Sequence, residues 1–140
     1  MLIERLGVQG ANSNLPQRLW NDYANAVLTI EFKVRDGAEA VLLSLKEAGY
    51  KIGLICNTYH TPGSVIRKIL QNSGLSRYFD VLMFSDEYGV PKPKPEIFIE
   101  ALSRIGVEPS EAVHVGDRSD LDMEGGKKFW TESYLPENNR

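Results

Sequence analysis

From Asp36 onward the chain alternates helix-period and strand-like segments joined by short connections, and this alternation limits the fold more than any other feature. Asp36 suits a helix cap, Val41, Leu42, Leu45 and Ala48 recur at helical spacing, and Gly49 supplies a left-handed stop. The apolar run from Ile52 to Cys56 is too short for a helix and ends at the polar pair Asn57-Thr58, which predicts a buried strand. Thr61 and Pro62 read as the cap and first residue of a second helix, with Val65, Ile66, Ile69 and Leu70 on its stripe and Gly74 at its close. A strand from Phe79 to Phe84 follows. A helix from Pro95 then carries Ile97, Phe98, Ala101, Leu102 and Ile105 on one face and stops at Gly106. A third strand, Ala112 to Val115, leads through Gly116-Asp117 into a short helix from Ser119. The pattern predicts a parallel, doubly wound α/β sheet, whose ligands bind at the C-terminal ends of strands. Asn57, Lys92 and Asp117 all lie just after strands or on the loops that follow them.

The flanks are less regular. Asn14 to Ala26 reads as a helix, with Asn14 as cap, Pro16 near its first position, and Leu19, Trp20, Tyr23, Ala26 and Val27 on one face. Val27 to Val34 alternates strictly, apolar Leu28, Ile30, Phe32 and Val34 against polar Thr29, Glu31 and Lys33, which is the period of a strand. Phe129 to Arg140 has no period, and its Pro136-Glu137-Asn138-Asn139 run predicts an irregular tail. The expected division is a helical segment over residues 1–34 with a strand at 27–34, an α/β core over 35–128, and a tail over 129–140. With 140 residues, 42% of them hydrophobic, the chain can bury one ordinary core. A charged fraction of 25% without low-complexity tracts argues against disorder. The net charge of -3 gives no general attraction to nucleic acid or anionic membrane. A lone Cys, no signal-peptide pattern and no apolar run near about 18 residues point to a cytoplasmic protein with no nucleic-acid or membrane partner.

Three blocks carry polar groups whose chemistry fits together. Lys51-Ile-Gly-Leu-Ile-Cys-Asn-Thr58 ends an apolar strand in groups able to meet an anion. In Ser85-Asp-Glu-Tyr-Gly-Val-Pro-Lys-Pro-Lys-Pro-Glu-Ile-Phe98, prolines fix the backbone around Lys92 and so aim its flexible side chain. Ala112-Val-His-Val-Gly-Asp-Arg-Ser-Asp-Leu-Asp-Met-Glu-Gly-Gly126 ends a strand in Gly-Asp and places Asp122 five residues after Asp117, offering the hard oxygen donors that Mg²⁺ takes. Asp120 is close enough to contribute, and equally suits the first turn of a helix. Each block alone has a plainer origin: a strand end, a proline-rich loop with surface lysines, or capping acids. His114, inside an apolar strand, reads as a core histidine and Lys94 as solvent-facing.

In order and spacing these blocks resemble the second, third and fourth motifs of the haloacid dehalogenase (HAD)-like hydrolase superfamily, over roughly residues 37–128. The resemblance implies a HAD-like Rossmannoid sheet with flanking helices, and Mg²⁺-dependent hydrolysis of a small phosphorylated molecule. It makes Lys92 the catalytic cation, Cys56, Asn57 and Thr58 with Lys92 the phosphate-binding set, and Asp117 and Asp122 the metal ligands. Cys56 stands where the family has a hydroxyl, and a thiol is the weaker donor; another register makes Thr58 the donor.

The family's first motif is a strand ending in Asp-x-Asp, whose first carboxylate attacks phosphorus and whose second moves the proton. No such pair precedes Cys56. Asp22 lies in a helix pattern and Asp36 at a helix start, while Phe32-Lys-Val-Arg-Asp-Gly37 also admits a reading as a degraded motif with Val34 at the nucleophile position. Residues 1–34 resemble the helical cap that the family inserts between its first two motifs. The expectation is a truncated chain, inactive alone, with weakened Mg²⁺ binding; the alternative is a non-catalytic domain that binds Mg²⁺ or phosphate or serves in assembly. In the family the first strand lies between those carrying the second and fourth motifs, so its loss predicts two open edges. Val27 to Val34 is expected to fill the slot, within the chain or swapped with a second copy as a homodimer.

Overall fold

The computed structural model describes residues 14–124 and the backbone of residues 132–134. Its strands are β1 (Gly53–Cys56), β2 (Val81–Phe84), β3 (Val113–Val115) and β4 (Glu132–Tyr134). Its helices are α1 (Leu15–Ala26), α2 (Ala38–Glu47), α3 (Gly63–Asn72), the single turn α4 (Ser85–Tyr88) and α5 (Pro95–Ile105), with a π-helical turn at Ser119–Met123. β1 pairs parallel with β2, Gly53 opposite Val81 through Cys56 opposite Phe84, and β3 pairs parallel with β4. The crossover from β1 to β2 carries α3, and the described part of that from β3 to β4 carries the π-helical turn. The expected α/β class holds, as does the order of α2, β1, α3, β2, α5 and β3.

The core forms where α5 lies on the first pair. Ile97 and Phe98 of α5 are fully buried against Met83 and Val81 of β2, with Ala101 closing the cluster. Burial of this kind contributes roughly 1.5–3 kcal/mol per large side chain. Phe98 also meets the His114 ring of β3 edge-on, 5.1 Å between centroids, so α5 backs both pairs of strands. Gly106 ends the helix in a left-handed turn (φ 62°), and Lys51 Nζ donates to the Ile105 carbonyl there at 2.6 Å. α3 starts close against β2, because a Cβ on Gly63 would meet Phe84 carbons at 2.6 Å.

Among the described residues β1 and β3 do not pair with each other; the sheet is two two-stranded pairs. Val113 and Val115 are accordingly exposed. The segment expected to fill that slot is elsewhere. Val27–Thr29 continues α1 as a 3-10 turn, the Ile30 N–H reaching the Val27 carbonyl, and no strand follows through Val34. Alternation is necessary for a half-buried strand but not sufficient, since the backbone also needs a ladder partner. Ile30 and Phe32 lie exposed beside the C-terminal end of α3.

Further expectations are corrected. The cap of α2 is Gly37 (φ 84°) rather than Asp36, which makes only an exposed 3.8 Å contact with Lys33. α3 begins at Gly63 with Pro62 as its cap. Leu19, Trp20 and Tyr23 of α1 and Val41 and Leu45 of α2 are exposed despite their periodic spacing, and Ala24 is the buried residue of α1. The expected tail contains β4, which a three-residue strand with one apolar side chain does not announce by period. Residues 1–13 of the expected cap-like segment, 125–128 of the expected core, and 129–131 and 135–140 of the tail lie outside the described residues. No helix among the described residues is long and apolar enough to cross a membrane.

Asp80 ties three elements together. Its carboxylate accepts from Lys46 Nζ of α2 at 2.8 and 2.7 Å and from the Ile52 N–H ahead of β1 at 2.7 Å. These partners, Lys46 foremost, hold the Asp80 carboxyl below its ordinary range. A depressed folded-state pKa adds stability above the unfolded value of about 3.9, and that stability is lost as pH falls through the folded value. Asp80→Asn is expected to lower the melting temperature near neutral pH and to flatten its decline between about pH 5 and about pH 3. Circular-dichroism melts of both proteins across that range check this.

Candidate active site

The loops after the strands converge on one side chain pair. Lys92 Nζ lies 2.6 Å from Asp122 Oδ1, with the carboxylate side chain 2% exposed and the lysine 14%. The same oxygen is 3.1 Å from His114 Nε2, and the Arg118 N–H donates to Asp122 Oδ2 at 3.0 Å. The chain reaches this geometry by a steric device: a Cβ on Gly116 would collide with the Asp122 carboxylate, so the residue before Asp117 has to be glycine for Asp122 to sit there. Burial alone would raise the Asp122 carboxyl, but the bonds from Lys92, His114 and the Arg118 N–H outweigh it and hold it below the ordinary range. Burial foremost, with the Lys92 charge adding to it, outweighs Asp122 and lowers the His114 pKa. The ring is therefore neutral at pH 7, and since an ionised carboxylate only accepts, Nε2 is assigned the proton.

The strand-end residues expected to bind phosphate are engaged with the scaffold. Asn57 Nδ2 donates to the Lys92 carbonyl at 2.9 Å while its Oδ1 accepts the Lys92 N–H at 2.7 Å. The Thr58 hydroxyl donates to Asp86 Oδ1 at 2.8 Å, lies 3.1 Å from Ser85 Oγ and accepts the Asp86 N–H at 3.0 Å. Asp86 in turn accepts the Gly63 N–H at the start of α3. Cys56 is half-buried with its Sγ 3.6 Å from the Asn57 carbonyl. Burial pushes its thiol pKa up, Lys92 opposing and Asp86 adding, so it stays protonated and is a poor nucleophile at neutral pH.

Magnesium is bound through one or two carboxylates with water and substrate phosphate completing its shell. Asp117 is exposed at the end of β3 and suits that role. Asp122, expected beside it as a second ligand, pairs here with Lys92, and its oxygens meet three donors. Asp120 is exposed and paired side-on with the Arg118 guanidinium, at 2.9 and 2.6 Å. Among the described residues no three His, Cys, Asp or Glu side chains cluster as a metal site. The fit to Mg²⁺ is thus partial and rests on Asp117. Lys94 is exposed, as expected.

The model of the haloacid dehalogenase-like hydrolases matches residues 3–129. The chain belongs to that family. It is similar to the glyceraldehyde 3-phosphate phosphatase of Methanopyrus kandleri, 42% identical over 89 residues, covering 62% of this chain and 36% of the relative. Haloacid dehalogenase-like hydrolase domain-containing protein 3 of Mus musculus is 34% identical over 131 residues, covering 92% of this chain and 49% of the relative. Among solved structures, a HAD phosphatase from Thermococcus onnurineus superposes with a TM-score of 0.73 at 30% identity, covering 99% of this chain and 67% of that one. The chain therefore spans about a third to a half of these two curated relatives.

Within this HAD-like site, sequence reasoning missed the roles of His114, Gly116 and the Ser85-Asp86 pair. The signal for His114 was the strand period: Val113 and Val115 face outward, which turns the residue between them inward. Lys92→Met leaves a buried carboxylate without its counter-charge, and is expected to cost about 3 kcal/mol. Adding Asp122→Asn to that variant is expected to recover part of the loss, because the two side chains are coupled. Urea unfolding of the two single variants and the double variant measures the coupling; additive losses would remove it.

Proposed function

We propose that the chain carries the phosphate-facing side of a Mg²⁺-dependent phosphomonoester hydrolase site of the HAD type, acting on a small phosphorylated molecule. The observation that supports it most is Lys92, a half-buried ammonium fixed at its main chain by Asn57 and at its tip by Asp122. An ammonium has three donors; among the described residues one is on Asp122, and two remain for phosphoryl oxygens. Asp122 keeps Lys92 in place, and His114 and the Arg118 N–H keep Asp122 in place. Asp117 would hold the magnesium, which when bound supplies positive charge against the phosphate. A cytoplasmic location and the absence of nucleic-acid and membrane partners belong to the same reading.

The 140-residue chain by itself is proposed to lack turnover. Three carboxylates of these loops have other posts: Asp122 on Lys92, Asp86 on Thr58 and the Gly63 N–H, and Asp120 on Arg118. Each oxygen bonded this way is a weakened nucleophile. A second reading, an assembly unit that pairs through open strand edges with a second copy, draws on the separation of β1 from β3 and the exposed Val113 and Val115. Hydrolysis of p-nitrophenyl phosphate with Mg²⁺ is expected to stay at the buffer rate. Robust activity abolished by Asp117→Ala would overturn the inactivity, and light scattering that finds only monomer removes the assembly reading.

A further inference from the structure

We propose that Asn57 is a positioning residue whose amide sets the place of Lys92, and that it does not itself bind phosphate. The proposal rests on the reading of Lys92 as the phosphate-facing cation. Proline has no N–H, so between Pro91 and Pro95 the backbone offers donors only at Lys92 and Lys94. The Lys94 N–H closes a turn onto the Pro91 carbonyl at 3.1 Å. The Lys92 N–H is satisfied by Asn57 Oδ1, and the same amide gives its Nδ2 hydrogen to the Lys92 carbonyl. One side chain thus holds the single residue of this loop whose ammonium reaches Asp122.

Residue type decides whether this contact can form. A primary amide pairs a donor and an acceptor at the spacing of one residue's N–H and C=O, as a neighbouring strand would. Aspartate keeps the acceptor and loses the donor, and alanine keeps neither. The bonds also cross the fold, from the end of β1 to a loop far along the chain, where local turn propensity cannot replace them. Thr58, next in sequence, makes a comparable set of bonds to Ser85 and Asp86. Two adjacent side chains therefore secure two parts of the connection between β2 and α5, the α4 turn and the proline loop after it, and only the second part carries Lys92.

The difference gives the test. Acetylation with acetic anhydride, read residue by residue by mass spectrometry, is expected to be slow at Lys92 in the unmodified protein and fast at exposed Lys68. In folded Asn57→Ala, Lys92 is expected to react about tenfold faster, the change that one to two lost net hydrogen bonds make in an opening equilibrium. Thr58→Val removes bonds of similar number and is expected to leave Lys92 within about twofold of the original rate. Asn57→Asp is expected to fall between them, and carries the test if the alanine variant does not fold. Unchanged protection of Lys92 in a folded Asn57 variant, or equal exposure in Thr58→Val, overturns the proposal. Loss of the folded state in both Asn57 variants also overturns it, by assigning the residue to the fold at large. Adding inorganic phosphate with Mg²⁺ to the unmodified protein tests the other reading separately: no further protection of Lys92 counts against a phosphate site and leaves the Asn57 assignment standing.

Discussion

The buried pair of Lys92 and Asp122 is the contact on which the site depends. It joins the loop ahead of α5 to the turn after β3, two regions that no strand ladder links among the described residues. Removing a lysine and a carboxylate from water is costly, and the pair is viable because the carboxylate is also bonded by His114 and a backbone N–H. Asp122 is the charged residue found among the buried side chains. Its burial is thus explained by bonding on every side, and it in turn requires the bare Cα of Gly116 beneath it.

Much of this was legible in the sequence. The order of α2, β1, α3, β2, α5 and β3 followed from apolar period and glycine stops, because each element is short and bounded by residues of distinctive backbone preference. The convergence of Lys92 with the turn after β3 followed from block order. What was not legible depended on contacts between distant residues. Val27 to Val34 has a strand's period and finds no partner strand among the described residues, so the period was not realised. Trp20 and Val41 sit on apolar stripes that the described residues leave uncovered. The place of Asn57 could not be read from residue type, since an amide suits phosphate binding and loop anchoring alike; the bonds to the Lys92 main chain are visible only in the fold.

Membership of the HAD-like family and the particulars of this chain are different kinds of statement. Shared fold and spacing explain why a lysine loop and a Gly-Asp turn meet at the ends of parallel strands. They do not set what each side chain does there. Cys56 illustrates the point: burial keeps this thiol neutral, so it contributes neither a strong donor nor a thiolate.

The split of the sheet bears on how the molecule opens. Val81, Met83, Ile97, Phe98 and Ala101 place the core cluster on β2 and α5, while β3 is joined to it through the Phe98–His114 ring contact and the Lys92–Asp122 pair. Regions with fewer apolar contacts open at lower free energy than the core does. Among the described residues, the half that holds Asp117 and Asp122 therefore has the weaker attachment. Anything that binds Lys92 and Asp117 together acts as a fastener across the two halves, and mass action then makes the cohesion of the domain depend on how much of that ligand is present.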